Sequence, residues 1–401
     1  MTLLYSKMYK NTTQRILVFA TNYLPNIGGA ELAFHEIATR LPDITFDLIA
    51  SRLPDPSNPK KLLPTEEKIN NTTVYRVGSR LNLSRIFIPK ALYPIMAYFK
   101  GRELSKKLGP YKKIYALQAS QGGGAAWLFK FFNPRVRYIL NLQEGQDFNK
   151  QGFLLNFFRG LIIKKADVVI AISNYLKNYA KDLNKRAKVI RVPNGVDIAN
   201  FKRDYSYGEL SGLAETLGIE PGEKIIISVS RLVPKNAIDV LIEALGILNT
   251  KYKITNMKLL IVGSGQERPS LESRAENLGL GDKVVFVGSV GHDELPKYLK
   301  IAEVFVRPSR SEGLGNAFLE AMAAGVPVIG TNVGGIPDFL ENEKTGLFCK
   351  INDAEDLAGQ IFKLSQEPKL KEIIIKNASN LVLENYDWDI IAKSCGDILR
   401  S

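Results

Sequence analysis

The sequence predicts an α/β protein of two successive, largely parallel sheets that face each other across a cleft. Three observations carry this. Short apolar, β-branched runs alternate with helical patterns along most of the chain, the signature of βαβ units. The alternation occurs twice, before and after a polar stretch at 202–222 that lacks clear periodicity until 213–217. The chain has 401 residues, too many for one core at the usual ~100–200 residues per domain. Domains are expected at 1–205 and 206–385, followed by a C-terminal helix at 386–401.

In the first series an opening strand at 16–20 leads into Gly28-Gly29-Ala30-Glu31 and a helix reaching about Arg40. Paired glycines before a helix let backbone N–H groups approach a ligand phosphate with no side chain in the way. Further β-rich runs stand at 44–50, 73–77, 113–117, 136–142, 167–172 and 188–192, with helices over roughly 90–108, 122–132, 152–165 and 173–182. Pro193-Asn194-Gly195-Val196-Asp197 then makes a sharp turn at a strand end. The second series places strands at 225–230, 258–262, 283–287, 304–307 and 326–330, then helical patterns at 353–365 and 369–384 and a short helix to the end. Gly263-Ser264-Gly265 resembles the start of a dinucleotide fingerprint, but Arg268 stands where the third glycine belongs and no acidic residue ends a strand about 20 residues on.

Residues 307–331 concentrate the candidate chemistry: R-P-S-R-S-E-G-L-G-N-A-F-L-E-A-M-A-A-G-V-P-V-I-G-T. Val304-Phe305-Val306 before it reads as a buried strand, and 316–324 as a helix stopped by Gly325 and Pro327. Glu312 therefore sits on a loop at the carboxyl end of a strand, with Gly313 and Gly315 directly after it. Glu320 sits about two turns away, inside the helix that leaves the loop. Open α/β sheets bind ligands at that edge, where a helix N-terminus offers N–H groups and roughly half a positive charge to an anion. Read alone, the two carboxylates are either an acid/base couple or ordinary solvated glutamates.

Composition narrows the field. With 45% apolar and 24% charged residues the chain is globular, and no window holds the ~18 uninterrupted apolar residues of a membrane span. The N-terminus lacks the apolar core of a signal peptide. Two cysteines, Cys349 and Cys395, make no disulfide framework, so a reducing cytoplasm is expected. Two histidines, His35 and His292, leave little material for a histidine-based zinc site or a Ser–His–Asp triad, and both are assigned structural places. Charge is uneven: residues 1–205 hold 33 Lys+Arg against 14 Asp+Glu, whereas the net charge of the whole chain is +13. The densest part, 80–113, interleaves Arg80, Arg85, Lys90, Lys100, Arg102, Lys106, Lys107, Lys112 and Lys113 with apolar residues and a single acid, Glu103. Near an anionic membrane each such cation adds on the order of 1 kcal/mol; the plain alternative is a solvated basic helix over a packed core. No recognised nucleic-acid motif accompanies the charge.

The ordered set of motifs resembles the retaining nucleotide-sugar glycosyltransferases of family 4, the glycosyl transferases group 1, whose fold is GT-B. It runs through Gly28-Gly29-Ala30-Glu31, Asn194-Gly195-Val196-Asp197, Ser230-Arg231-Leu232-Val233, Val262-Gly263-Ser264-Gly265, Phe286-Val287-Gly288 and Pro308-Ser309. It continues with Glu312…Glu320, Gly325-Val326-Pro327-Val328-Ile329, Gly334-Gly335-Ile336-Pro337-Asp338 and Thr345-Gly346-Leu347, and so covers nearly the whole chain. The resemblance implies two Rossmann-like domains across a deep cleft, an N-terminal domain for the acceptor, a C-terminal domain for the donor, and a last helix returning to the first domain. It implies that Glu312 contacts hydroxyls of the donor sugar and that main-chain amides of Gly313, Leu314, Gly315 and Asn316 hold the sugar or diphosphate. It implies that Glu320 accepts from ribose hydroxyls while Arg231 and Lys235 neutralise the diphosphate, with Gly28 and Gly29 facing the donor. Arg231, Lys235 and Glu312 become the catalytic candidates. No metal and no cofactor are expected beyond the nucleotide diphosphate sugar itself. The departing phosphate helps to deprotonate the acceptor in a front-face substitution with retention.

Three departures stand out. The family loop R-L-x-x-x-K-G reads here Arg231-Leu232-Val233-Pro234-Lys235-Asn236-Ala237, with the lysine one residue early and alanine for glycine. A histidine often follows the N-domain strand where Gln143 stands, and glutamine cannot shuttle a proton near neutral pH. Gln143 and Glu144, or Asp147, are left as candidate acceptor-side contacts. Arg307 and Asn316 stand where apolar residues are commoner; Arg307 reads as either a second diphosphate or acceptor contact or a surface arginine at a strand end. The expected protein is a retaining hexosyltransferase at the cytoplasmic face of a membrane, with a glycan or lipid-linked acceptor and an anionic membrane near its basic domain. With the resemblance in hand, Glu312 and Glu320 read as a donor clamp. The alternatives are a GT-B epimerase or phosphorylase, or a non-catalytic basic binding protein.

Overall fold

The computed structural model describes residues 14–26, 28–78, 89–145 and 151–401. Arg80, Arg85 and Asp147 lie outside the described residues. β1 (Gln14–Phe19) is apolar on both faces and is covered on both: Leu17 and Phe19 enter one core, Ile16 and Val18 another, as in parallel sheets flanked by helices. It is followed by α1 (Gly29–Thr39), β2 (Ile44–Ser51), a small hairpin of β3 (Pro54–Asp55) and β4 (Asn58–Leu62), β5 (Glu66–Ile69) and β6 (Thr72–Val77). Then come α2 (Pro89–Leu108), β7 (Lys113–Leu117), α3 (Gln121–Phe132), β8 (Arg137–Leu142), α4 (Phe153–Lys165), β9 (Val168–Ala171), α5 (Asn174–Leu183) and β10 (Lys188–Arg191). These strands form an eight-stranded sheet in the order β10-β9-β8-β7-β1-β2-β6-β5, parallel except between β5 and β6.

The chain crosses to the second sheet through α6 (Ile198–Lys202) and α7 (Tyr207–Thr216). That sheet comprises β11 (Lys224–Val229), β12 (Met257–Val262), β13 (Val284–Gly288), β14 (Val304–Arg307), β15 (Val328–Thr331) and β16 (Leu347–Cys349), parallel throughout in the order β13-β12-β11-β14-β15-β16. Its helices are α8 (Ile238–Thr250), α9 (Arg268–Asn277), α10 (Leu295–Lys300), α11 (Asn316–Ala323), α12 (Ala354–Gln366) and α13 (Pro368–Asn385). One apolar core continues from the first sheet into the second, taking in Phe129, Phe201, Phe305 and Phe318.

The crossing differs from the sequence expectation. Residues 207–216 are helical although no apolar period marks them, because α7 buries none of its side chains. Its start is set instead by a capping box: the Ser206 hydroxyl accepts from the Glu209 amide at 3.3 Å, and Glu209 accepts from the Ser206 amide at 2.9 Å. The β3–β4 hairpin and β5 are likewise additions, short and polar enough to escape a period-2 reading.

The last helix, α14 (Trp388–Arg400), returns to the first domain. Trp388, Ile391, Cys395 and Leu399 join the core beneath α1. The Val196 amide donates to the Tyr386 carbonyl at 2.7 Å, and Lys113 Nζ donates to the Leu399 carbonyl at 2.7 Å. A Cβ on Gly195 would lie 2.6 Å from the Trp388 ring, so the turn after β10 and the start of α14 are in direct contact.

Strand order reverses between β1 and β7 in the first sheet and between β11 and β14 in the second. The carboxyl ends of these four strands open onto one cleft, the place where such sheets hold ligands. Since α14 is the chain's second crossing between the sheets, Trp388→Ala is expected to destabilise the protein by about 3–5 kcal/mol. The check is a fall in the urea midpoint followed by far-UV circular dichroism.

Candidate active site

The cleft encloses about 860 Å³. From the first domain it is lined by Gly28 to Leu32 at the start of α1, by Gln118 and Ser120 after β7, by Gln143 to Gly145 after β8, and by Arg159 and Asn194. From the second it is lined by Arg231 and Lys235 after β11, and by Arg307 and Glu312 to Ala317 after β14. The N-termini of α1 and α11 thus face the same space from opposite domains. At the base the two backbones touch: a Cβ on Gly313 would lie 2.8 Å from the Glu144 carbonyl oxygen, and this contact admits only glycine. Asn194 spans the domains, its Nδ2 donating to Gln143 Oε1 at 3.1 Å and to Asn316 Oδ1 at 3.4 Å.

Glu312 is the electrostatic centre. Its Oε2 accepts from Arg307 Nη2 at 2.7 Å, and its Oε1 accepts from the Gly313 amide at 3.0 Å and lies 3.6 Å from Lys235 Nζ. Burial alone raises a carboxyl pKa, but Arg307, Lys235 and the Gly313 amide outweigh it and hold Glu312 below its ordinary range. Lys235 is pushed the other way. Burial lowers its pKa, Glu312 opposes that, and the neighbouring Arg307 and Arg231 add to it. Its Nζ also donates to the Gly145 carbonyl at 3.0 Å, which ties the second domain to the first. Two cations thus flank Glu312, and Arg231, exposed in the cleft wall, adds a third to the lining. The backbone of Glu312 is propped from behind by Gly334, at φ +55°, where a Cβ would lie 1.7 Å from the Glu312 carbonyl oxygen.

Most of the sequence-predicted residues meet in this cleft: Gly28, Gly29, Gln143, Glu144, Arg231, Lys235, Glu312, Gly313, Leu314, Gly315 and Asn316. Glu320 is not in its lining; its Oε1 lies 3.3 Å from His292 Nε2, a contact that raises the His292 pKa. His292, assigned a structural place from the sequence, therefore stands against a candidate donor contact. Of the two readings of Arg307, the surface arginine is wrong. The residue is 6% exposed, with Nη1 on the Val229 carbonyl at 3.2 Å and its guanidinium 4.9 Å over the Phe318 ring.

Gly28 does not offer its amide to a ligand, because that N–H donates to Glu31 Oε2 at 3.0 Å. Glu144 lines the cleft but is not a surface residue. It is buried, and its two oxygens accept from the Ala119 amide at 2.5 Å and the Gln143 amide at 2.9 Å. In the loop after β11 a 3-10 turn (Pro234–Asn236) directs Lys235 into the cleft, while Asn236 turns back to donate to the Arg231 carbonyl at 2.6 Å. Ala237 then adopts φ +55°, the left-handed conformation that glycine favours.

Residues 213–381 match the profile described as Glycosyl transferases group 1. The chain carries a glycosyl transferases group 1 domain. It is 29% identical over 357 residues to an uncharacterized glycosyltransferase of Methanocaldococcus jannaschii, covering 84% of this chain and 87% of that one. Over 242 residues it is 33% identical to the GDP-mannose-dependent alpha-(1-6)-phosphatidylinositol monomannoside mannosyltransferase of Mycobacterium tuberculosis, covering 58% of this chain and 62% of that enzyme's length. The structure of sucrose-phosphate synthase from Thermosynechococcus elongatus superposes with a TM-score of 0.82 at 23% identity, covering 96% of this chain and 98% of that one. The two largely parallel α/β sheets thus share the GT-B fold of that structure.

The Arg307–Glu312 pair is testable by a mutant cycle. Arg307→Met leaves a buried carboxylate short of its closest cation and is expected to cost about 3–5 kcal/mol. Adding Glu312→Gln is expected to restore much of the loss, and denaturant unfolding of the two single variants and the double variant measures the coupling.

Proposed function

We propose that this glycosyltransferase moves a hexosyl unit from a nucleoside diphosphate sugar to a glycan or lipid-linked acceptor, with retention of configuration and without a metal. The observation that carries the reading is the excess of positive charge around Glu312 in a cleft closed by two helix N-termini. A departing diphosphate supplies the negative charge that this arrangement lacks, and stabilising developing charge is the largest single device of such catalysis. Arg231 and Lys235 take the diphosphate, Arg as a two-pronged clamp and Lys as a point charge. Amides of Leu314 to Asn316 and Gly29 approach the sugar and phosphates, while that of Gly313 already donates to Glu312. Glu312, with lone pairs beyond those already used, accepts from a sugar hydroxyl. Glu320 accepts from the ribose, displacing His292 as its partner.

No protein base is assigned. Gln143 cannot serve, and Glu144 is occupied by backbone amides, so the acceptor proton passes to the leaving phosphate. The mycobacterial relative is named for a GDP-mannose donor and a phosphatidylinositol-based acceptor. This supports GDP-mannose as the first donor to try and a lipid-linked acceptor at the cytoplasmic membrane face, beside the basic first domain.

A thermal-shift screen of UDP-, GDP- and ADP-sugars is expected to single out one donor, at about 2.7 kcal/mol of added stability for 100-fold excess over its Kd. Glu320→Gln is expected to weaken that donor at least about tenfold, by loss of charge-assisted hydrogen bonds. Unchanged affinity would remove Glu320 from the site.

A further inference from the structure

Helix α4 is apolar nearly all round, yet only part of it is covered. Gly160, Ile162 and Ile163 are buried on one side, while Phe153, Leu154, Phe157 and Phe158 stand exposed on the other, Phe153 by 85%. A helix apolar on every side is expected inside a core or against lipid. A second exposed group stands on the adjacent helix α3, where Phe131 and Phe132 are exposed and Trp127 stacks on Phe131 at 5.8 Å. A third stands on α2, which packs on α3 and exposes Leu92, Ile95 and Phe99 at helical spacing. Exposed aromatic groups of this kind on three neighbouring helices mark a binding site for a protein or a membrane.

Charge decides between them. Across α2, α3 and α4 the single acid is Glu103, whereas Lys164 and Lys165 end α4 and Lys106 and Lys107 end α2. Lys165 Nζ lies 5.8 Å over the Phe131 ring, so cation and aromatic already share one surface. Exposed aromatic rings beside lysines, with almost no acid, suit an interface of acyl chains and anionic headgroups. Among the described residues no helix is long and apolar enough to cross a membrane, so the contact is one of lying on the surface. The same helix also reaches the cleft: Arg159, between Phe158 and Gly160, is part of its lining.

We propose that the aromatic face of α3 and α4 inserts into an anionic membrane and sets the acceptor side of the cleft against it. This deepens the reading of a lipid-linked acceptor, on which it rests for its purpose but not for its test. The probe is vesicles of phosphatidylcholine alone or mixed with phosphatidylglycerol. The chain is expected to float with the mixed vesicles, and raised salt is expected to weaken the binding without abolishing it, since screening removes only its ionic part. Brominated lipid is expected to quench Trp127, which stacks on the inserting ring; Trp388 is buried elsewhere.

The triple variant Phe153→Ser, Phe157→Ser, Phe158→Ser is expected to lose at least about tenfold in partitioning. These side chains are exposed, so its circular dichroism and its donor thermal shift should match those of the parent. Vesicle binding that survives the triple variant, or no binding by the parent, would overturn the proposal. So would a parent that is a dimer in sedimentation, ignores vesicles and becomes monomeric in the variant. A missing donor shift in the parent would instead count against the proposed function, whatever the vesicles show.

Discussion

A single buried carboxylate, Glu312, holds the cleft in order. It draws in Arg307 from the end of β14 and Lys235 from the loop after β11, and Lys235 in turn grips the Gly145 carbonyl of the other domain. Buried ion pairs are poor sources of stability, because desolvation consumes most of the Coulomb gain. Their use here lies in position. Two cations that would avoid each other in an empty cleft are fixed within reach of a ligand anion, and the charge left unbalanced by one glutamate favours a phosphate-bearing guest.

The rest of the fold keeps that cluster in place. Four strands from two sheets deliver their carboxyl ends to one cavity, and the chain crosses between the sheets twice, at α6–α7 and again at α13–α14. Trp388 and its neighbours seal the second crossing against α1, while Asn174 and Arg191 of the first domain both engage Asp338 of the second. The close approach of Gly313 to Glu144 shows the two domains drawn together at the base of the cleft. A nucleotide sugar entering there would touch both, which couples donor binding to the relation between the domains.

Much of this was legible in the sequence where local rules and tertiary demands agree. The strand, the glycine turn and the helix around Glu312 follow from apolar runs, glycine placement and a Gly–Pro stop. The lysine displaced by one residue in the loop after β11 still reaches the cleft, because a 3-10 turn there reorients it. What escaped was decided by distant partners. Arg307 follows an apolar strand and reads equally well as a surface end; its burial depends on Glu312, Phe318 and the Val229 carbonyl. The Gly28 amide looked available until Glu31 folded back to it. Helix α7 has no buried face, so periodicity was silent, although Ser206 and Glu209 spelled its cap. Glu144 read as an acceptor-side contact, and nothing local announces the Ala119 amide that it accepts from.

The central claim is that an anion binds between the two switch points and touches both domains. Hydrogen–deuterium exchange, with and without the nucleoside diphosphate sugar selected by thermal shift, tests it most directly. The account predicts slowed exchange at 28–32 in the first domain and at 313–317 in the second, the segments lining the cleft from either side. Protection confined to one domain, or centred on the smaller depression around Asn332, Phe348 and Lys363, would contradict it.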